Sequence, residues 1–202
     1  MKTAWMIGTM AAMGLAAHAA GSAQQAKRTI TVYTVDHRKE SAYPLHLAEQ
    51  YASRIFATAG LTVEWRSGAP AETPSAEETS FVVELTDRTP GDVHAGALAY
   101  ALPYEGVHIR LFFDRISALD KGFPDAVLAH VLAHEITHML EGVSRHSKAG
   151  VMKPVFTPMD VLTMRSRPMS FAQEDVILID LGLKRRAESH RAAESAIAAE
   201  EE

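Results

Sequence analysis

Residues 130–152 read His-Val-Leu-Ala-His-Glu-Ile-Thr-His-Met-Leu-Glu-Gly-Val-Ser-Arg-His-Ser-Lys-Ala-Gly-Val-Met. The apolar pattern around them, from Phe123 to Leu140, predicts a helix, with Pro124 and Asp125 at its start and Gly142 closing it. On that helix His134 and His138, four residues apart, lie one above the other and can address a single metal ion. Glu135 stands about 100° round the axis. From there its carboxylate reaches water at the metal without occupying a ligand position. That division of labour suits hydrolysis: zinc lowers the pKa of water and polarises a carbonyl, and the carboxylate accepts the proton. Two ligands do not complete such a site, because catalytic zinc takes three from the protein. The chain has no cysteine, so the third must come from His, Asp or Glu, and a four-cysteine structural site is excluded.

Taken in order, His134, Glu135, His138, Gly142, His146 and Met152 resemble the motif of the metzincin metalloproteases. There a His-Glu-x-x-His helix ends at a glycine, a third histidine follows, and a methionine-bearing turn lies below the metal. The spacing departs from that pattern: Gly142 comes four residues after His138 in place of three, and His146 four after Gly142 in place of three. A half-turn more helix and a slightly longer loop would absorb the difference. Leu128 to Met152, with its His-Ser-x-x-Gly-Val-Met ending, is also similar to secreted bacterial proteins related to the metzincins. The resemblance implies a zincin-like (metzincin-like) single domain and a Zn2+ ion held by His134, His138 and His146. It further implies Glu135 as general base, Met152 as the Met-turn residue, and hydrolysis of peptide bonds in a peptide or protein substrate.

Other donors compete for the third position. Glu174 on a later helix would complete a gluzincin-type site, and Asp160 is a weaker rival. His130 lies one more turn back on the same helix, but three ligands on one straight helix diverge by about 80° over eight residues. It reads as a buried or supporting histidine. His37, His46, His94 and His108 are scattered and read as structural or surface residues. Beyond a peptidase, the pattern allows a zinc-binding protein of the same fold without turnover, or a domain with no metal at all.

Outward from this stretch the chain reads as α+β, a mixed β-sheet packed on the active-site helix. Arg28 to Val35, dense in β-branched residues, predicts a strand. Pro44 to Thr58 carries a helical apolar stripe between Pro44 and Gly60. Leu61 to Trp65 predicts a second strand, and strand–helix–strand order favours a parallel pair. Ser67 to Thr79 is a polar loop. Phe81 to Leu85, Ala95 to Leu102 and Val107 to Phe113 predict three more strands, the last two joined by a turn at residues 103–106. In metzincin-like peptidases the edge strand above the metal helix binds extended substrate through its backbone; Ala95 to Leu102 would be that strand. Tyr100 or Tyr104 would then be placed to stabilise a transition state. Val155 to Pro158 would form a pocket wall, and Phe171 to Leu183 a final helix packed on the sheet.

At 202 residues, 47% hydrophobic and 22% charged, the chain suits one soluble domain with a proper core. A net charge of −5, without a basic stripe, argues against nucleic acid as a partner. Lys2, the apolar run Ala4 to Ala17 and small residues up to Ala23 predict a signal peptide over 1–23. The run is shorter than the ~20 residues a bilayer span requires, so stable membrane insertion is not expected. These features predict a secreted or periplasmic bacterial protein, with the catalytic domain at 24–184. A charged, Ala-rich tail at 185–202 is expected to fray. Oligomeric state is not encoded in any feature of the sequence.

Overall fold

The computed structural model describes residues 28–71, 79–101 and 107–200. The expected signal peptide, loop residues 72–78, the turn at 103–106 and Tyr104 lie outside these. The chain opens with β1 (Thr29–Asp36), α1 (Tyr43–Ala57) and β2 (Thr62–Ser67). β1 and β2 pair in parallel, Thr29 opposite Thr62 through Thr34 opposite Ser67. Pro44 sits in the first turn of α1, where its missing N–H costs nothing. Leu45, Ala48, Ala52, Ile55 and Phe56 form the buried stripe of that helix.

β3 (Ser80–Thr86) and β5 (His108–Phe112) extend the parallel sheet, and β4 (Ala99–Ala101) closes it antiparallel to β5. The spatial order is β2-β1-β3-β5-β4. Along β3, Phe81, Val83 and Leu85 are buried while the residues between them are half-exposed. This period of two marks a sheet covered on one face. The covering layer is α1 together with α3 (Pro124–Glu141), and the core lies between them and the sheet. α3 is buried nearly all round: past its first two residues, every position except Glu135 and His138 is buried. A helix apolar on all sides belongs in an interior. The two partly exposed positions past that start, Glu135 and His138, belong to the histidine motif.

Four elements differ from the sequence reading. β4 begins at Ala99, because Gly96 takes a left-handed φ of 91° and Ala97 N–H turns back to His94 O at 3.1 Å. The Arg115 guanidinium holds that turn by donating to the carbonyls of His94 and Ala97 at 2.7 and 2.8 Å. After β5 the chain enters a short helix, α2 (Phe113–Leu119), anchored by buried Phe113 and Ile116; two apolar anchors in two turns leave too little period to recognise. α4 (Pro158–Ser166) follows the site loop. It starts with a capping box in which the Thr157 hydroxyl accepts from Asp160 N–H and the Asp160 carboxylate accepts from Thr157 N–H, with Pro158 next to the cap.

The last helix, α5 (Gln173–Glu200), lies mainly along α3 and meets the sheet through Arg186, whose guanidinium lies over the Phe81 ring at 5.2 Å. A Cβ at Gly182 would overlap the Leu140 carbonyl oxygen, so glycine permits that approach. α5 also extends to Glu200, into the 185–202 segment. Beyond Gly182 the sequence has neither glycine nor proline and is rich in alanine, the strongest helix former. No helix among the described residues is long and apolar enough to cross a membrane.

His130 is a structural histidine. It is fully buried, its Nδ1 donates to Ala126 O at 2.7 Å, and its Nε2 accepts Met169 N–H at 3.0 Å. Burial pushes its pKa down to about 4. A histidine depressed in the fold adds stability that is complete above its unfolded pKa near 6.5 and is lost as pH falls toward 4. That contribution is on the order of 3 kcal/mol. Urea unfolding of metal-free protein should therefore weaken between pH 7 and pH 4.5. In His130→Gln, which can make both hydrogen bonds without titrating, that dependence should be flatter; an unchanged pH slope would show that His130 does not supply it.

Candidate metal centre

α3 ends at Gly142, whose φ of 67° and N–H bond to His138 O at 3.0 Å form a left-handed cap. The cap turns the chain back, so that His146 arrives over the helix face carrying His134 and His138. One ring nitrogen from each of the three histidines lies within 4.8 Å of the others. The ring centroids are 4.7 Å apart for His134 and His138, 5.2 Å for His134 and His146, and 4.9 Å for His138 and His146. His134 is buried, His138 half-buried and His146 exposed. The cluster is open on one side.

Backbone carbonyls orient two of the rings. His134 Nδ1 lies 2.9 Å from Val151 O, and His138 Nδ1 lies 3.2 Å from Val143 O. A carbonyl can only accept, so each Nδ1 carries the hydrogen and each Nε2 presents a lone pair. Those two Nε2 atoms are 3.1 Å apart. With no hydrogen between them the approach is repulsive unless a cation lies between. A tetrahedral ion with nitrogen ligands at ~2.05 Å sets those nitrogens roughly 3.3 Å apart, close to what the rings already show. Burial lowers the pKa of His134 to about 4 and that of His138 in the same direction. The residues present fit a zinc ion.

Glu135 faces the same cleft, which has a volume of about 380 Å³. Burial raises its carboxyl pKa to about 7. Leu98 and Ala99 from the sheet edge, Leu119, Val155 and Phe156 supply apolar walls, and Lys153 supplies a polar one. The Phe156 ring stands edge-on to His134 at 6.1 Å. β4 is the terminal strand of the sheet, and Ala99 on it borders the cleft. Tyr100, 55% exposed, does not line the cleft and borders a separate hollow with His94 and Arg110.

The rival donors are engaged elsewhere. Asp160 caps α4 and pairs with Lys153. Glu174 is 81% exposed and pairs with Arg145 at 3.2 Å. Met152 is fully buried, and its carbonyl accepts Ser147 N–H at 2.8 Å. It follows Val151, whose carbonyl holds His134. Of the remaining histidines, His37 pairs loosely with Glu84 at 4.0 Å and His46 meets Gln50 at 2.8 Å. Two features escaped the sequence reading: Lys153 as part of the cleft, and the polar pair Arg145 and Ser147 beside His146 with their partner Asp175. A carboxylate in the buried stripe of α5, between Phe171 and Ile179, was the available signal.

No family model matches the chain, and no curated protein matches it. Among solved structures, an archaemetzincin from Methanopyrus kandleri is similar, with a TM-score of 0.55 and 14% identity. The likeness covers 79% of this chain and 98% of that one. At that identity it speaks for the fold alone: a single α+β domain of zincin-like type, with a mixed sheet over the helix that carries His134 and His138.

Proposed function

We propose that this chain is an exported zinc-dependent peptidase, with His134, His138 and His146 as zinc ligands and Glu135 as general base. The observation that carries the reading is the 3.1 Å approach of two acceptor nitrogens, His134 Nε2 and His138 Nε2, with His146 beside them. The likeness to an archaemetzincin supports it, since that protein is named for the family the motif resembles. Bound at the three histidines, zinc would supply Lewis acidity that acidifies water and polarises a carbonyl.

The chain's own groups account for the rest. The outer edge of β4, the terminal strand among the described residues, offers backbone N–H and C=O groups to an extended peptide, which fixes its direction without fixing its sequence. The apolar walls of the cleft exclude bulk water and seat side chains. Glu135 takes a proton from the attacking water as the new C–O bond forms. It returns that proton to the amide nitrogen as the C–N bond breaks, and the new acid's remaining proton passes to the amine, so one carboxylate and one ammonium leave. Export rests on the N-terminal sequence, Lys2 followed by an uncharged apolar run and small residues.

The third ligand is tested by a pair of variants. His146→Ala should weaken zinc binding by orders of magnitude, while Glu174→Ala should leave it nearly unchanged, both read by chelator competition. The reverse result would assign the site to the gluzincin arrangement and make the spacing of His146 a coincidence.

A further inference from the structure

Resting on the zinc reading above, we propose that Asp175 is a positioning residue for the third ligand, clamping the loop that carries His146. The need for a clamp follows from the loop itself. His146 lies eight residues beyond His138, two more than the metzincin pattern, in a segment without regular structure. Each added residue widens the range of conformations the loop can explore. His134 and His138 are held by a helix and by carbonyls at their Nδ1 atoms; His146 is exposed, and among the described residues no hydrogen bond holds its ring. Its order must come from its neighbours.

Both neighbours are tied to one carboxylate. Asp175 is fully buried. Its Oδ1 accepts from Arg145 Nη1 at 2.9 Å and from the Ser147 hydroxyl at 2.5 Å. Arg145 donates in turn to Ser147 Oγ at 3.2 Å, closing a triangle around the base of His146. The other oxygen of Asp175 accepts Ala172 N–H at 2.9 Å, so the carboxylate is fixed at the start of α5. From the far side, Ser147 N–H bonds Met152 O, the turn whose Val151 carbonyl holds His134. Asp175 thus ties the third histidine into the frame that orients the first. Glu174 also reaches Arg145, but its exposed position gives that pair little weight. A buried carboxylate with charge-assisted partners is the stronger tether.

The experiment measures zinc affinity by chelator competition in a double-mutant cycle between Asp175 and His146. Asp175→Ala should lower zinc affinity ~10–100-fold, the range for groups that orient metal ligands. In a His146→Ala background the same change should have almost no effect, because the ligand it positions is gone. Asp175→Asn keeps one acceptor oxygen for Arg145 and Ser147 but loses the charge and turns an NH2 toward Ala172 N–H, so it should recover only part of the affinity, falling between wild type and Asp175→Ala. Ile179→Ala, at a buried site on the same helix, should lower stability and leave zinc affinity unchanged. If Asp175→Ala does not fold, Ser147→Ala serves in its place, with a several-fold loss expected. The proposal is overturned if Asp175→Ala binds zinc like wild type, or if it weakens binding equally with and without His146. Wild-type protein that binds no zinc would overturn the functional reading together with the clamp; a failure of the clamp alone leaves wild-type zinc binding in place.

Discussion

Exchanging Glu135 for glutamine should abolish detectable peptide cleavage while leaving fold and zinc content unchanged. Glu135 faces the cleft beside His134 and is absent from the histidine cluster, so its loss removes no ligand. A positioned general base contributes ~10²–10⁴-fold in rate. Here the same carboxylate also orients the attacking water, which places the expected loss at the upper end. Its carboxyl is held in a partly dehydrated position that raises its pKa to about 7. Replacing it with a neutral amide should raise the melting temperature slightly, as when an active-site compromise is relaxed. Zinc analysis, thermal melting and a peptide-library digest on one preparation give all three readings. A variant that cleaves a responsive peptide as fast as wild type would place the activity elsewhere. Zinc-loaded wild type that cleaves no peptide would favour a zinc-binding protein without turnover.

The second large effect is on the metal. His134→Ala and His138→Ala should each eliminate zinc binding, because each leaves only two of the three clustered histidines, and the rival carboxylates Asp160 and Glu174 are committed to Lys153 and Arg145. Binding to the folded state alone stabilises by about 2.7 kcal/mol when free zinc is a hundredfold above its dissociation constant. In a chain of this size that raises the melting temperature by roughly 5–10 °C. Wild type should show the shift on adding zinc, and both variants should show none. Full zinc retention by either variant would remove that histidine from the ligand set.

Much of this arrangement is legible locally. α3 is announced by Pro124, an unbroken apolar pattern and Gly142, and the i, i+4 spacing places His134 and His138 on one face without reference to any other part of the chain. The strand–helix–strand opening is equally local, and its parallel pairing follows from handedness. The later elements are harder because their determinants are distant or brief. β4 is shortened by Arg115, which reaches back across the hairpin to the carbonyls of His94 and Ala97. α2 is held by two buried side chains. α4 carries its signal in Thr157, Pro158 and Asp160, where Asp160 serves the capping box and pairs with Lys153. The end of α5 runs to Glu200 through a segment rich in alanine.

The site divides in the same way. The histidine motif and Glu135 lie within 13 residues of chain, and the resemblance to the metzincins orders them. The tether on His146 does not: Asp175 is 28 residues from Ser147 in sequence and meets it only because α5 folds back along α3. Lys153 and the apolar walls likewise take their places through the loop that follows the third histidine.

The most direct test of the whole account is an anomalous-scattering map at the zinc absorption edge from crystals of the zinc-loaded protein. The account predicts one strong peak, within ~2.0–2.1 Å of a ring nitrogen from each of three histidines, those of His134, His138 and His146. No peak there, or a peak coordinated by Glu174 in place of His146, would contradict it.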